Sequence, residues 1–180
     1  MAHTPPISLA TPRLILRAAH LEDAPSLFTE YTGRAEAAYY LQRGVHASQA
    51  RTEAVIAAWG HDNWMTGNRF VWSILRRPDE RPIGLFLMFV DGNSAEIHYG
   101  LGPAFWRQGL ATEAGLAVMD WVTRQSSLSD VSTSCASAHA ASLRVLEKIG
   151  LCRTRLLPGA VLLPLPGISA DAWLYRWTRC

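Results

Sequence analysis

Three β-patterned runs follow one another between Phe70 and Leu101, and beyond the third the apolar period changes from two to about 3.6. The runs FVWSIL, IGLFLMFV and SAEIHYGL are rich in β-branched, aromatic and aliphatic residues, and are parted only by RRPDERP and by Asp91-Gly92-Asn93. Breaks that short predict three antiparallel strands in a meander, the second turn a tight hairpin because Asp-Gly readily takes positive φ. Downstream, Leu110, Ala114, Ala117 or Val118, and Trp121 recur at helical spacing, which predicts an amphipathic helix over 110–125. DVSTSCAS then reads as a strand, and 142–149 as a helix carrying Leu143, Leu146 and Ile149 on one side, with Gly150 as its left-handed cap. AWLYRWT reads as a closing strand, and the Pro-rich stretch 156–168 as a long loop or irregular hairpin. Upstream, 14–17 alternates like a short strand, and Glu22, Asp23 and Ala24 open an irregular helical region running to about Trp64. The order predicts an α+β fold, a mostly antiparallel sheet with one βαβ crossover.

A chain of 180 residues, about half of them apolar, has the size and the core for one domain spanning 1–180. A formal charge of +2 and a pI near 8.6 fall short of a nucleic-acid footprint, since the arginines are scattered except at Arg76, Arg77 and Arg81. The expected partner is a small molecule or a protein segment. Cys135, Cys152 and Cys180 form neither an even set nor a CxxC pair, so no disulfide framework or metal site is expected. The opening MAHTPPISLATPRL lacks the pattern of a secretory leader, and no apolar run reaches membrane-spanning length. These features predict a cytoplasmic protein with no membrane partner.

The stretch GLGPAFWRQGLATEA, 100–114, joins a strand to a helix through Gly100, Gly102, Pro103 and Gly109. The first turn of a helix offers unpaired N–H groups and a partial positive charge, which suit a pyrophosphate. Gly109 would let the backbone approach the anion closely. On spacing alone, ordinary turn chemistry is the commoner meaning of such glycines. No Gly-Lys-Ser/Thr follows, and there is no G-x-G-x-x-G, so neither a Walker loop nor a dinucleotide fingerprint is present.

WRQGLATEA resembles the acetyl-CoA pyrophosphate loop of the GNAT superfamily, Q/R-x-x-G-x-G/A, matched by Gly109 and Ala111. Trp106 stands where the first Gln or Arg would be, and Arg107 where many members have Gly. HAASLRVLEKIGL resembles the N-x-x-S-x-R-V-L-E-K-L-G-F of the RimJ/RimL-like branch, with Ser142, Arg144, Val145, Leu146, Glu147, Lys148 and Gly150 in place. TPRLILR, AEIHYGL and DAWLY, with Asp171 and Tyr175, fall in the same order. The resemblance implies a GNAT-like sheet with a splayed parallel strand pair and flanking helices, and acetyl-CoA as cosubstrate. It implies that the pantetheine arm lies along Tyr99, Gly100 and Leu101, and that a backbone N–H there, that of Leu101, polarises the thioester carbonyl. Arg107, Gln108, Gly109, Leu110, Ala111 and Thr112 would hold the pyrophosphate, mainly through main-chain N–H groups. His139 replaces the usual Asn beside pantetheine, and an imidazole N–H can still donate there.

Acetyl transfer needs a neutral amine, whereas α-amines have a pKa of about 7.7–8.0 and lysines about 10.4. Glu96 is the candidate base, directly or through water, with its alternation partner His98 as rival. The plain alternatives are a solvated strand residue for Glu96 and a satisfied polar residue for His98. The family's usual proton-donating tyrosine is replaced by Leu146, which leaves Ser142 to serve the departing thiolate or simply to cap its helix. Trp72, Trp121 and Trp177 read as core, Trp59, Trp64 and Tyr39 as lining for an acceptor pocket, and Cys135 as a buried small hydrophobe. The resemblance thus implies an N-acetyltransferase acting on a primary amine, a protein N-terminus or a small molecule, as a monomer or homodimer. The alternative is a domain that binds acyl-CoA as a sensor without turnover.

Overall fold

The computed structural model describes residues 4–124 and 126–179. Gln125, the last position of the expected long helix, and the third cysteine, Cys180, lie outside the described residues, as do Met1, Ala2 and His3. Eight strands form a single sheet: β1 (Ser8–Ala10), β2 (Leu14–Ala18), β3 (Arg69–Arg76), β4 (Arg81–Asp91), β5 (Ser94–Leu101), β6 (Asp130–Ala136), β7 (Cys152–Leu163) and β8 (Ile168–Thr178). Their spatial order is β1-β2-β3-β4-β5-β6-β8-β7, and every neighbouring pair is antiparallel except β5 with β6. The expected meander is β3, β4 and β5, closed at Asp91-Gly92-Asn93 by Gly92 at φ 56°.

Helices α1 (Ala24–Leu27), α2 (Ala35–Ala38) and α3 (Gln49–Trp59) come from the irregular first third, α4 (Leu110–Arg124) and α5 (Ala140–Lys148) from the second half. One face of the sheet packs Trp72, Phe86, Met88, Ile97 and Leu101 against Leu110, Ala114 and Val118 of α4 and Leu143 and Leu146 of α5. The opposite face packs Val71 and Leu85 against Ala24, Leu27 and Ile56, with Tyr31 among them. A single π-turn, Phe28–Thr32, carries Tyr31. Buried Asp23 anchors this second layer: it accepts a fork from Arg17 at 2.7 and 2.8 Å and a bond from Ser73 at 2.6 Å. Burial pushes the Asp23 carboxyl up, but these bonds outweigh it and hold it below the ordinary range.

One open expectation about elements is decided and another changes. Of the two readings of 156–168, the irregular hairpin is the one found, its strand β7 beginning already at Cys152 and its register shifting between Leu157 and Val161. Pro158 and Gly159 fall inside that shift, and β7 is an edge strand, where a missing donor leaves no central ladder bond unmade. Helix α5 begins at Ala140, two residues earlier than its pattern predicts, so Ser142 occupies the third helical position and His139 the cap. Ser142 as a helix-capping residue is therefore overturned.

Candidate active site

Strands β5 and β6 pair at only three positions, Ser94 with Asp130, Ala95 with Val131 and Glu96 with Ser132, and then part. Each continues along its other neighbour, β5 with β4 as far as Leu101 and β6 with β8 as far as Ala136. A wedge therefore opens in mid-sheet, with Glu96 at its root. The N–H of Gly102 bonds to the Ile83 carbonyl at 2.8 Å, which fixes the parity of the β4–β5 ladder. Antiparallel pairs alternate between bonded and unbonded, so the N–H groups of Tyr99 and Leu101 turn away from β4 and toward the wedge. The Leu101 carbonyl is occupied there by the Trp106 indole N–H at 2.8 Å.

Aromatic side chains bound the wedge on both faces. On the α4 and α5 side, the Tyr99 hydroxyl lies 3.0 Å from Ser142 Oγ and donates to the Ser142 carbonyl at 3.2 Å. Burial raises the Tyr99 phenol well above its usual range, so it stays protonated. Cys135 of β6 is partly buried beside this pair, and burial pushes its thiol up, which suits an inert side chain rather than a nucleophile. On the other side, the hydroxyl of Tyr31 presses on Gly100, where any Cβ would collide with it. Tyr40 stacks on His139 with centroids 4.6 Å apart. The segment from Tyr31 to Tyr40 thus bridges from β5 to the start of α5. Burial lowers the His139 pKa, so its ring is neutral at physiological pH and offers one N–H.

Glu96 and His98 share the face opposite Ile97 and Tyr99, as alternation predicts, and His98 Nε2 lies 2.9 Å from Glu96 Oε1. That bond outweighs partial burial and holds the Glu96 carboxyl below its ordinary range, so it is ionised at neutral pH. Phe89 lies 5.6 Å from His98 and 5.3 Å from Trp59, so Trp59 belongs to the same surface. Trp64 does not. It is 1% exposed in the main core, edge-on to Phe70 and Trp72, and gives its N–H to Pro5, which removes it from the acceptor side. Tyr39 is exposed and meets Tyr40 edge to face. Leu146 is buried in the core, so no tyrosine stands at that turn of α5.

At the mouth of the wedge, the turn into α4 has two left-handed residues, Arg107 at φ 61° and Gly109 at φ 75°, on either side of Gln108. Alternating left-handed residues curl successive N–H groups into a concave anion nest. The first intrahelical bond runs from the Glu113 N–H to the Gly109 carbonyl at 3.0 Å, leaving the N–H groups of Leu110, Ala111 and Thr112 without intrahelical acceptors. The positive φ at Arg107 gives a physical reason for glycine being frequent there. These residues fit an anionic pyrophosphate through geometry and dipole alone.

A clamp that the sequence reading missed holds this turn. Arg13 Nη1 donates to the Gln108 carbonyl at 2.8 Å, which turns that oxygen out of the nest, and Arg13 Nε pairs with Glu113 Oε2 at 2.6 Å. Thr11 and the Arg13 N–H also bond Glu113 Oε1. Burial raises the Glu113 carboxyl, but these donors together hold it below its usual range. The only hint in the sequence was TPRLILR, since Arg13 and Glu113 stand 100 positions apart. Arg13→Ala is expected to raise KM for acetyl-CoA about tenfold, the loss of a charge-assisted bond. It should leave turnover of S-acetyl-pantetheine, which lacks the pyrophosphate, unchanged. Equal losses with both donors would instead mean general destabilisation.

A family model described as an acetyltransferase (GNAT) domain matches residues 13–151. A curated relative, the uncharacterized N-acetyltransferase YnaD of Bacillus subtilis (strain 168), is 25% identical over 147 residues, covering 81% of this chain and 82% of its own. The solved ribosomal-protein-S5-alanine acetyltransferase from Vibrio fischeri superposes with a TM-score of 0.82 at 14% identity, over 96% of this chain and 97% of that one. RimL, a ribosomal L7/L12 α-N-protein acetyltransferase in complex with coenzyme A, superposes with a TM-score of 0.79 at 19% identity, over 96% of each chain. At those identities the two structures establish a shared fold. No helix among the described residues is long and apolar enough to cross a membrane.

Proposed function

The chain belongs to the GNAT acetyltransferase family and is an acetyl-CoA-dependent acetyltransferase, and from that premise we propose that it acetylates a primary amine by direct attack in the wedge between β5 and β6. The observation that carries this reading is the early parting of those strands, which turns the Leu101 N–H into the gap within one segment of the left-handed turn at Arg107 and Gly109. Acetyl-CoA supplies a thioester activated toward amines. Tyr99, Gly100, Leu101, His139 and Ser142 line the gap that takes the pantetheine arm, and Arg107, Gln108, Gly109, Leu110, Ala111 and Thr112 take the pyrophosphate. The Leu101 N–H acts as a single oxyanion donor. The amine nitrogen forms the new N–C bond, the C–S bond breaks with its electron pair on sulfur, the amine proton goes to the base, and the sulfur takes up a proton. Glu96 is the base, directly or through one water, with His98 held beside it.

The motifs around Gly109 and Ser142 favour the RimJ/RimL-like branch, and with it a protein N-terminus over a small amine. The acids of the first third give no cluster for a polycation: Glu30 pairs with Arg81 and Glu36 with Arg34. An amine library that includes N-terminal peptides, followed by release of free CoA, tests the proposal. Turnover of peptides is the expected result, and CoA binding without turnover of any amine would establish the sensor instead.

Ser142 lies against Tyr99 and no longer has a capping role to explain it, so we assign it to the departing sulfur. Ser142→Ala should lower kcat by about tenfold or more with acetyl-CoA affinity unchanged, since the lost interaction belongs to the transition state. Normal kcat with weakened CoA binding would make it a cosubstrate contact only.

A further inference from the structure

Arg43 is the one described residue whose side chain keeps a buried polar atom without a partner: its Nη2 meets no acceptor. Its Nη1 reaches the carbonyls of Gly44 at 3.2 Å and Thr32 at 3.5 Å, and the guanidinium lies 4.6 Å over the ring of Tyr31. That ring ends at Gly100, on the face that Glu96 and His98 share. So a cation rests one ring's length from the reacting end of β5, on the side opposite α4 and α5. No carboxylate among the described residues lies within ion-pair reach of Arg43: the acids on either side in the chain turn elsewhere, Glu36 to Arg34, Glu30 to Arg81 and Glu53 to the Gln49 amide. His46 adds no negative or positive charge, being driven down to about 4 by its burial and by Arg43 and Arg51. An unpaired guanidinium N–H shielded from solvent is costly, and the half-buried remainder of this planar, always charged group is what a carboxylate would meet and match best.

We propose that Arg43, seated on Tyr31, is an acceptor-side subsite for a carboxylate, so that the amine this enzyme acetylates carries a carboxylate close to its nitrogen. The carboxylate belongs either to a free amino acid or to an acidic residue next to a peptide N-terminus. This rests on the reading of the wedge as the acetyl-transfer site and adds the chemistry of the acceptor to it. It also explains why Arg43 is left unneutralised while Glu30 and Glu36 are paired with other arginines.

Bisubstrate conjugates test it without needing the natural acceptor. CoA sulfur is joined through CH2–C(O) to the nitrogen of glycine, of glycinamide, of Gly-Asp-amide or of Gly-Asn-amide, and each is titrated calorimetrically against the whole protein. In the wild type, glycine over glycinamide, or Gly-Asp-amide over Gly-Asn-amide, should bind about tenfold tighter or more, the size of one charge-assisted bond. Which pair shows the gap separates the free amino acid from the acidic peptide. Arg43→Gln should abolish the gap and leave CoA affinity unchanged, and Arg43→Lys should restore part of it. No gap in either pair, or a gap that survives Arg43→Gln, overturns the subsite. A parallel loss of affinity for CoA itself also overturns it, since Arg43 would then serve the donor. A wild type that binds no CoA sinks the wedge reading instead, and is told apart from the other outcomes by that first titration.

Discussion

Gly109→Val is expected to weaken CoA binding by about a hundredfold or more while the protein stays folded. Gly109 sits at φ 75°, where a β-branched side chain is strained by about 1–3 kcal/mol. A Cβ added there would meet only Arg13 Nη2, at an ordinary 3.5 Å, so nothing inside the fold clashes with it. The backbone can relieve the strain only by leaving the left-handed region, and doing so uncurls the nest formed with Arg107 and Gln108. Loss of the nest removes several N–H donors at once, and each factor of ten in affinity corresponds to about 1.4 kcal/mol. Calorimetry with CoA, alongside a thermal melt, checks the result. Gly109→Ala, with the same φ problem and less bulk, should fall between the two. A folded Gly109→Val protein with wild-type affinity would remove the pyrophosphate from this turn.

That turn was legible in the sequence because it joins two segments of strong and different period, and because the match to a known loop falls where the period changes. Strands β3, β4 and β5 and helix α4 were legible for related reasons: β3 and β4 are near-continuous apolar runs buried on both faces, β5 alternates at its start, and α4 repeats its apolar residues at helical spacing. Strand β1 has three residues and no alternation to read, and β7 is broken by Pro158 and Gly159. The pairing of Glu96 with His98 needed only strand alternation and was readable. Contacts between distant segments were not. Tyr31 against Gly100, Tyr40 on His139, Arg13 on Gln108 and Arg43 over Tyr31 join segments whose order in the chain says nothing about their approach. Trp64 was misread because an irregular stretch has no periodicity to tell which face a side chain takes, and it enters the main core. The position of Ser142 was misread because a helix start defined by its apolar stripe falls two residues after the backbone begins to turn. Local pattern thus placed the scaffold of the wedge, and tertiary packing placed the side chains that close it.

Glu96→Gln is expected to lower kcat by about a hundredfold to ten-thousandfold near neutral pH, the range of general acid–base assistance. Glu96 stands at the last paired position before the strands part, with its carboxylate ionised by the His98 bond, so it can accept a proton throughout the neutral range. Glutamine keeps the shape and can still bond His98, but it takes no proton. The variant then depends on the fraction of amine already neutral, which rises with pH until the amine's own pKa, about 7.7–8.0 for an N-terminus. Its deficit against the wild type should therefore be greatest at low pH and shrink above about pH 8. For a lysine acceptor the recovery would be delayed toward about pH 10.4, so the same profile also reports which amine is used. His98→Ala separates the two partners. If Glu96 is the base, His98→Ala costs far less than Glu96→Gln, and its deficit varies little with pH. If His98 takes the proton and Glu96 only orients it, His98→Ala becomes the more damaging change and carries the pH-dependent deficit itself. Nearly full rate in Glu96→Gln with the best amine, at every pH, would leave the proton to water alone.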